Sequence, residues 1–209
     1  MVTGCQRSGT SALFHSFKTD PLINGFMEVK DSKIYQNFKL RSEKKIRKIL
    51  VNNKKSSILL KPISENRSWI DIFKEYKNYN LNVVCIYRNP INVFYSWNKY
   101  HEKLDNIKDW IKIDRFIEIW NQKYKKILEA FNEYRSKIIV VKYEDIISDR
   151  NVFDRLCKLL KIKGNYIFRK DKNKGIKNLS KKEKEAIDKG TCNMLTKLDK
   201  LRNFKINNN

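Results

Sequence analysis

Apolar residues along this chain recur with two different periods. Ser57-Ile58-Leu59-Leu60-Lys61, Leu81-Asn82-Val83-Val84-Cys85-Ile86-Tyr87 and Lys137-Ile138-Ile139-Val140-Val141 are short apolar runs with polar ends, the length and branched content of strands buried on both faces. Residues 1–4 have room only for the end of another strand. Between these runs the spacing becomes helical, over Thr10–Lys18, 69–79, 91–104 and 115–134; in the last of these Phe116, Ile119, Trp120, Tyr124, Ile127, Leu128 and Phe131 share one face. Strands alternating with helices predict an α/β fold, a parallel sheet flanked by helices on both sides. Such sheets bind ligands beyond the carboxyl ends of their strands, so chemistry is expected in the residues that follow each run.

Each of the four strand ends carries a distinct polar group. The first leads into Gly4-Cys5-Gln6-Arg7-Ser8-Gly9-Thr10-Ser11, a phosphate-loop spacing that opens directly into a helix. Its glycines let backbone N–H groups approach an anion, the helix N-terminus adds a positive dipole end, and the Thr10 and Ser11 hydroxyls can donate further bonds. Thr10 stands where an ATPase or kinase loop places lysine, and the same glycines would serve a tight structural turn. The second strand ends in Lys61-Pro62-Ile63-Ser64-Glu65, with Lys61 placed either to clamp charge on a transferring group or simply as a surface lysine before the terminating proline. After the third come Arg88, then Pro90 at a favoured first helical position, then Ser96, about two turns along that helix and able to share an anion with Arg88. The fourth, Lys142-Tyr143-Glu144-Asp145, opens a helix whose acidic first turn capping alone would explain.

Together these groups resemble the sulfotransferases that use 3′-phosphoadenosine 5′-phosphosulfate. That family carries an R-S-G-T-[ST] loop, an R-[ND]-P-x-x-x-x-x-S strand-to-helix segment and a later Y-E-[DQ]-[LI] turn, and all three occur here in order between Gly4 and Ile147. The resemblance implies a P-loop-like sulfotransferase fold, with Arg7, Ser8, Gly9, Thr10 and Ser11 around the 5′-phosphosulfate, Arg88 and Ser96 at the 3′-phosphate, and Tyr143 completing the nucleotide site. It also explains the missing lysine, because no Mg²⁺-bridged β/γ-phosphate is handled and Arg7 takes the positive role; no metal is implied. In the tyrosylprotein sulfotransferases the loop arginine is followed after fourteen residues by a proline and after seven more by the glutamate that serves as base, spacings matched by Arg7, Pro21 and Glu28. The surrounding residues differ, the paired glutamates of that subfamily reading Met27-Glu28 here. Glu28, Arg7 and Lys61 are therefore the implied catalytic set, with Glu65 as the competing base. Many relatives bring a basic C-terminal segment over the 3′-phosphate; Arg169, Lys170 or Lys177 would do so here, although the family's glycine-rich pattern is not reproduced and a floppy basic loop over 169–177 is the other reading, within a basic segment 169–209 expected to be partly flexible.

Composition bounds the alternatives. The 209 residues suit a single domain, 1–209, with six glycines, three prolines and no linker tract or internal repeat. Lys and Arg number 46 against 23 acidic residues, a net +23 that admits a polyanion partner, although lysines are scattered over almost every predicted helix. The cysteines, Cys5, Cys85, Cys157 and Cys192, are far apart and form no C-x-x-C pair, which points to a reducing compartment rather than to zinc or a disulfide framework. His15 and His101 lack ligand partners at helical spacing. No apolar run reaches the roughly 18 residues of a membrane span, and a cytoplasmic location is expected, with a lost N-terminal anchor and lumenal location as the alternative. The expected partners are the nucleotide donor and a hydroxyl-bearing acceptor, on a carbohydrate first, a peptide tyrosine second and a small phenol or lipid third; no nucleic acid is expected. Competing functions are a P-loop nucleoside or small-molecule kinase and a basic module binding polyanions.

Overall fold

Val83, Cys85 and Tyr87 face one hydrophobic layer and Val84 and Ile86 the other, so a single strand divides the core in two. The following strand repeats the pattern, Ile138 and Val140 on the first side, Ile139 and Val141 on the second. This period-2 alternation of wholly apolar residues is what a parallel strand covered on both faces requires.

The computed structural model describes residues 1–104, 111–169 and 179–204. In chain order its elements are β1 (Val2–Thr3), α1 (Thr10–Lys18), β2 (Ile23–Met27), β3 (Tyr35–Gln36), β4 (Lys39–Leu40), α2 (Glu43–Val51), β5 (Ser57–Lys61), α3 (Trp69–Glu75), β6 (Val83–Tyr87), α4 (Pro90–Leu104), α5 (Ile113–Phe131), β7 (Ile138–Lys142), α6 (Tyr143–Ser148), α7 (Arg150–Leu160) and α8 (Lys181–Leu201). β6 pairs in parallel with β1 on one side and β7 on the other, and β2 pairs in parallel with β5. The two groups meet where Thr3 Oγ1 donates to Pro62 O at 3.3 Å. An α/β architecture with a parallel sheet between helices was the expectation, and it holds.

Helices α3, α4, α5 and α8 cover one face and α1, α6 and α7 the other. On α5 the predicted apolar stripe is the buried one, with Phe116, Trp120, Tyr124, Ile127 and Phe131 all inside. Helix 69–79 proves shorter, ending at Glu75: Tyr76 leaves helical geometry as its C-cap, and its hydroxyl donates to Arg41 O at 2.9 Å.

Sequence reading missed five features. β2, Ile-Asn-Gly-Phe-Met, has Asn and Gly at its centre, both depleted in strands, and is held as a strand by full register with β5, from Ile23↔Ser57 to Met27↔Lys61. Helices α2 and α7 and the β3–β4 hairpin were also unread. The C-terminal part, expected as a basic and partly flexible segment, contains α8, which buries Ile187, Thr191 and Leu198. A capping box starts it, Ser180 Oγ accepting from Glu183 N while Glu183 accepts from Ser180 N at 2.7 Å. Tyr87 and Lys142 both donate to Asp199 on this helix, at 2.7 and 3.2 Å, tying it to the ends of β6 and β7.

Candidate active site

The segment after β1 turns so tightly that side chains are excluded at both glycines. A Cβ on Gly4 (φ 149°) would lie 2.1 Å from Ile86 O, and one on Gly9 (φ 96°) 2.4 Å from the Tyr143 ring. Gly9 is the N-cap of α1, with no side chain capping it. The first intrahelical bond runs from Leu13 N–H to Gly9 O at 3.0 Å, so the N–H groups of Thr10, Ser11 and Ala12 belong to the open positive end of the helix. Arg7 also has a left-handed backbone (φ 67°), a costly state for a residue with a Cβ. That conformation turns its carbonyl toward Arg88, whose Nη1 donates to it at 3.2 Å, while its side chain reaches out to donate from Nε to Ser96 Oγ at 3.1 Å.

Tyr124, at the buried face of α5, fixes the loop from below. Its hydroxyl donates to Ile86 O at 3.3 Å and accepts from Cys5 N at 3.2 Å and from Ser8 Oγ at 3.1 Å. Ser8 therefore departs from the expected role at the anion: its side chain is fully buried against Tyr124 and its N–H is used in a turn to Cys5 O at 3.2 Å. Thr10 is also buried, at the position a kinase lysine would occupy. Tyr124→Phe removes the hydroxyl but keeps the ring, stranding a buried N–H and a buried hydroxyl; it should cost about 1–3 kcal/mol of stability in denaturant titration.

Three cations gather at this loop, Arg7 from the loop itself and two from other strand ends. Lys61, at the end of β5, is buried and donates from Nζ to Ser11 Oγ at 3.0 Å. Burial holds its pKa below the ordinary lysine value, against the opposing pull of Glu28. Arg88, at the end of β6, lies with its guanidinium 4.7 Å over the Tyr143 ring, and Arg7 lies 4.5 Å over that of Tyr100. Tyr143 is thus wedged between Gly9 and Arg88, orienting the arginine. Ser96 sits on α4 as its spacing from Arg88 predicted. Lys177 and Lys170 lie outside the described residues.

Glu28 follows β2, the strand that sequence reading missed, and the register Met27↔Lys61 brings it alongside the end of β5. Its Oε1 accepts from Ser64 N at 2.6 Å. Burial raises its pKa, and the Ser64 bonds and the Lys123 charge only partly oppose that. Lys123, which no motif revealed, donates from Nζ to Ile63 O at 2.5 Å and to Glu65 O at 3.2 Å, pinning the residues on either side of Ser64. Glu65 has a different environment. It accepts from Arg67 Nε and Nη2, both at 3.0 Å, from Leu40 N at 3.0 Å and from Asn66 N at 3.1 Å. Burial pushes its pKa up, but these bonds outweigh burial and hold the carboxyl below the usual range. Glu65 therefore fastens the β3–β4 hairpin to the sheet, and of the two candidate bases only Glu28 is displaced toward proton uptake.

Among the described residues no three His, Cys, Asp or Glu side chains are grouped to hold a metal ion, and no helix is long and apolar enough to cross a membrane. A cavity of 520 Å³ lined by Met1, Leu59, Tyr79 and Leu81 lies at the opposite ends of the strands and takes no part in this site.

No protein-family model matches the chain, and no curated protein matches its sequence. Solved structures do match its fold. Mouse sulfotransferase SULT7A1, complexed with PAP, superposes with a TM-score of 0.63 over 95% of this chain and 87% of its own, at 13% identity. A sulfotransferase from Alicyclobacillus acidocaldarius superposes with a TM-score of 0.62 over 97% of this chain and 96% of its own, at 12% identity. The architecture is therefore that of the sulfotransferases, shared along nearly the whole chain.

Proposed function

We propose that the protein is a sulfotransferase that moves a sulfuryl group from 3′-phosphoadenosine 5′-phosphosulfate to an acceptor hydroxyl. The observation that carries this reading is the convergence of Arg7, Lys61 and Arg88, from three strand ends, on a glycine loop that has no lysine of its own. The residues fit the donor. An open helix end and the Ser11 hydroxyl meet the 5′-phosphosulfate, with Arg7 and Lys61 above it; Arg88 and Ser96 meet the 3′-phosphate. That the mouse neighbour is complexed with PAP agrees with this placing.

The protein's task in such a transfer is to position groups and stabilise charge. Glu28 takes the proton as the acceptor O–H bond breaks, and the acceptor oxygen forms its bond to sulfur. The bond from sulfur to the bridging oxygen breaks in line, and that oxygen leaves with the electron pair on the nucleotide's 5′-phosphate. Lys61, Arg7 and the loop N–H groups face the charge that grows there.

Adenosine 3′,5′-bisphosphate tests the reading without an acceptor. At 100 times its dissociation constant it should stabilise the protein by about 2.7 kcal/mol, roughly 5–10 °C for a domain of this size. Arg88→Ala should weaken its binding by about 10- to 100-fold through loss of a charge-assisted contact. A larger thermal shift with MgATP than with the bisphosphate would favour the kinase reading instead.

A further inference from the structure

Between β2, the β3–β4 hairpin and α2 lies an open cleft of 1020 Å³ whose lining, among the described residues, includes Lys33, Arg41, Lys45, Lys48, Lys54 and Lys55 and no carboxylate. General lysine richness does not account for it. Residues 39–55 hold eight basic side chains against one acidic, Glu43, a net +7 where the chain's average of +23 in 209 residues would place about two. Glu43 faces elsewhere, accepting from the Tyr79 hydroxyl at 2.8 Å. Arg41 is fixed in place, its Nε donating to Ser32 O at 2.8 Å and to Tyr35 O at 3.2 Å.

The cleft lies beside β2: Asn53 and Lys55, at one end of it, also line the cavity at the opposite ends of the strands, and its other end reaches toward Glu28. Asn24 and Ser32, both in its lining, stand four residues before and four after Glu28, so neither is further from it than about 14 Å of chain. A long anion lying in the cleft would carry its next unit to the end of β2, where Glu28 is.

We infer that this cleft binds the acceptor, and that the acceptor is an acidic polysaccharide bearing carboxylate or sulfate groups. The inference rests on the sulfotransferase reading. The cations suit repeated negative charge, and the other polar groups, Asn24, Asn52, Asn53 and Ser32, suit hydroxyls. Among the described residues no aromatic side chain lines the cleft, so unpaired bases would find no stacking platform. Ile49 is, among the described residues, the sole apolar member of its lining, which gives the side chains of a peptide no anchoring pocket.

The test compares heparin and chondroitin sulfate with poly-glutamate and single-stranded DNA, measuring binding without donor at 0.15 M salt. Lys45→Gln with Lys48→Gln removes two cleft charges at exposed positions of α2. Lys182→Gln with Lys189→Gln removes two from the exposed face of α8 and keeps net charge equal. Two lost contacts at about 0.7 counterions each correspond to roughly tenfold weaker glycan binding for the cleft variant and a salt slope shallower by about 1.4. The α8 variant should bind like the parent, and bisphosphate should stabilise all three equally. Equal loss in both variants, or tighter cleft-dependent binding of poly-glutamate or DNA than of either glycan, overturns the inference while the donor reading stands. A parent protein that bisphosphate does not stabilise fails the donor reading itself, and the acceptor role falls with it.

Discussion

Glu28→Gln should leave bisphosphate binding intact and lower turnover by at least about 10²-fold, the smaller end of what a positioned general base contributes. Glutamine keeps the shape and still accepts the Ser64 N–H bond, yet it takes up no proton at working pH. The parent protein supplies a second signature. Because burial raises the Glu28 pKa, the carboxylate is lost at a higher pH than an ordinary glutamate would be, so the acid limb of the kcat profile should fall at the upper side of the carboxylate range. In Glu28→Gln that limb should vanish. Glu65→Gln should behave in the opposite way, keeping most turnover but losing roughly 1–3 kcal/mol of stability, since Arg67 is left partly buried beside a neutral amide. Turnover lost through Glu65→Gln with Glu28→Gln near normal would move the base to the loop after β5.

The contrast between these two glutamates also shows what was legible beforehand. Spacing from Arg7 through Pro21 made Glu28 a candidate by resemblance, and position after an apolar run made Glu65 the other. Neither fact says which carboxyl is already engaged. That is decided by Arg67 and by the Leu40 N–H, and Leu40 lies 25 residues from Glu65 in a hairpin too short to leave a periodic trace. Strands β6 and β7 were readable because every residue of their cores is apolar, a pattern that survives without context. β2 was not, because its centre reads as a turn and only pairing with β5 makes it a strand.

Support from beneath the loop was similarly hidden. Tyr124 appeared in the sequence as one more apolar member of the α5 stripe, and its ring does serve the core. Its hydroxyl emerges at the one place where β1 and β6 end together, a fact of helix placement rather than of helix period. Lys123, its neighbour, looks from the sequence like a solvated lysine on the polar side. In the fold it reaches back to the carbonyls of Ile63 and Glu65 and sets the Ser64 N–H against Glu28. The loop, the three cations and Ser96 were recoverable because their chemistry is written at strand ends; the residues that hold them come from α5, whose contacts with those ends are long-range.

Lys61→Met should lower kcat by about 10²- to 10³-fold, the scale of losing one preorganised charge at the leaving oxygen. Methionine follows the same path along β5 and fills similar space, so the β2–β5 register and the bond that the backbone N–H of residue 61 donates to the Tyr35 hydroxyl, at 3.0 Å, should persist. Bisphosphate affinity should change much less than kcat, because the charge at issue develops during transfer. The pH profile separates this role from a packing role. Burial lowers the Lys61 pKa from the ordinary lysine value, so the ammonium loses its proton earlier as pH rises, and the parent's activity should decline on an alkaline limb below that value. Lys61→Arg keeps a positive charge that does not titrate in this range; it should retain part of the turnover and lose the alkaline limb. A methionine variant with near-parental kcat, or an arginine variant whose alkaline limb is unchanged, would remove Lys61 from the transfer step and leave Arg7 and the loop N–H groups to face the departing oxygen alone.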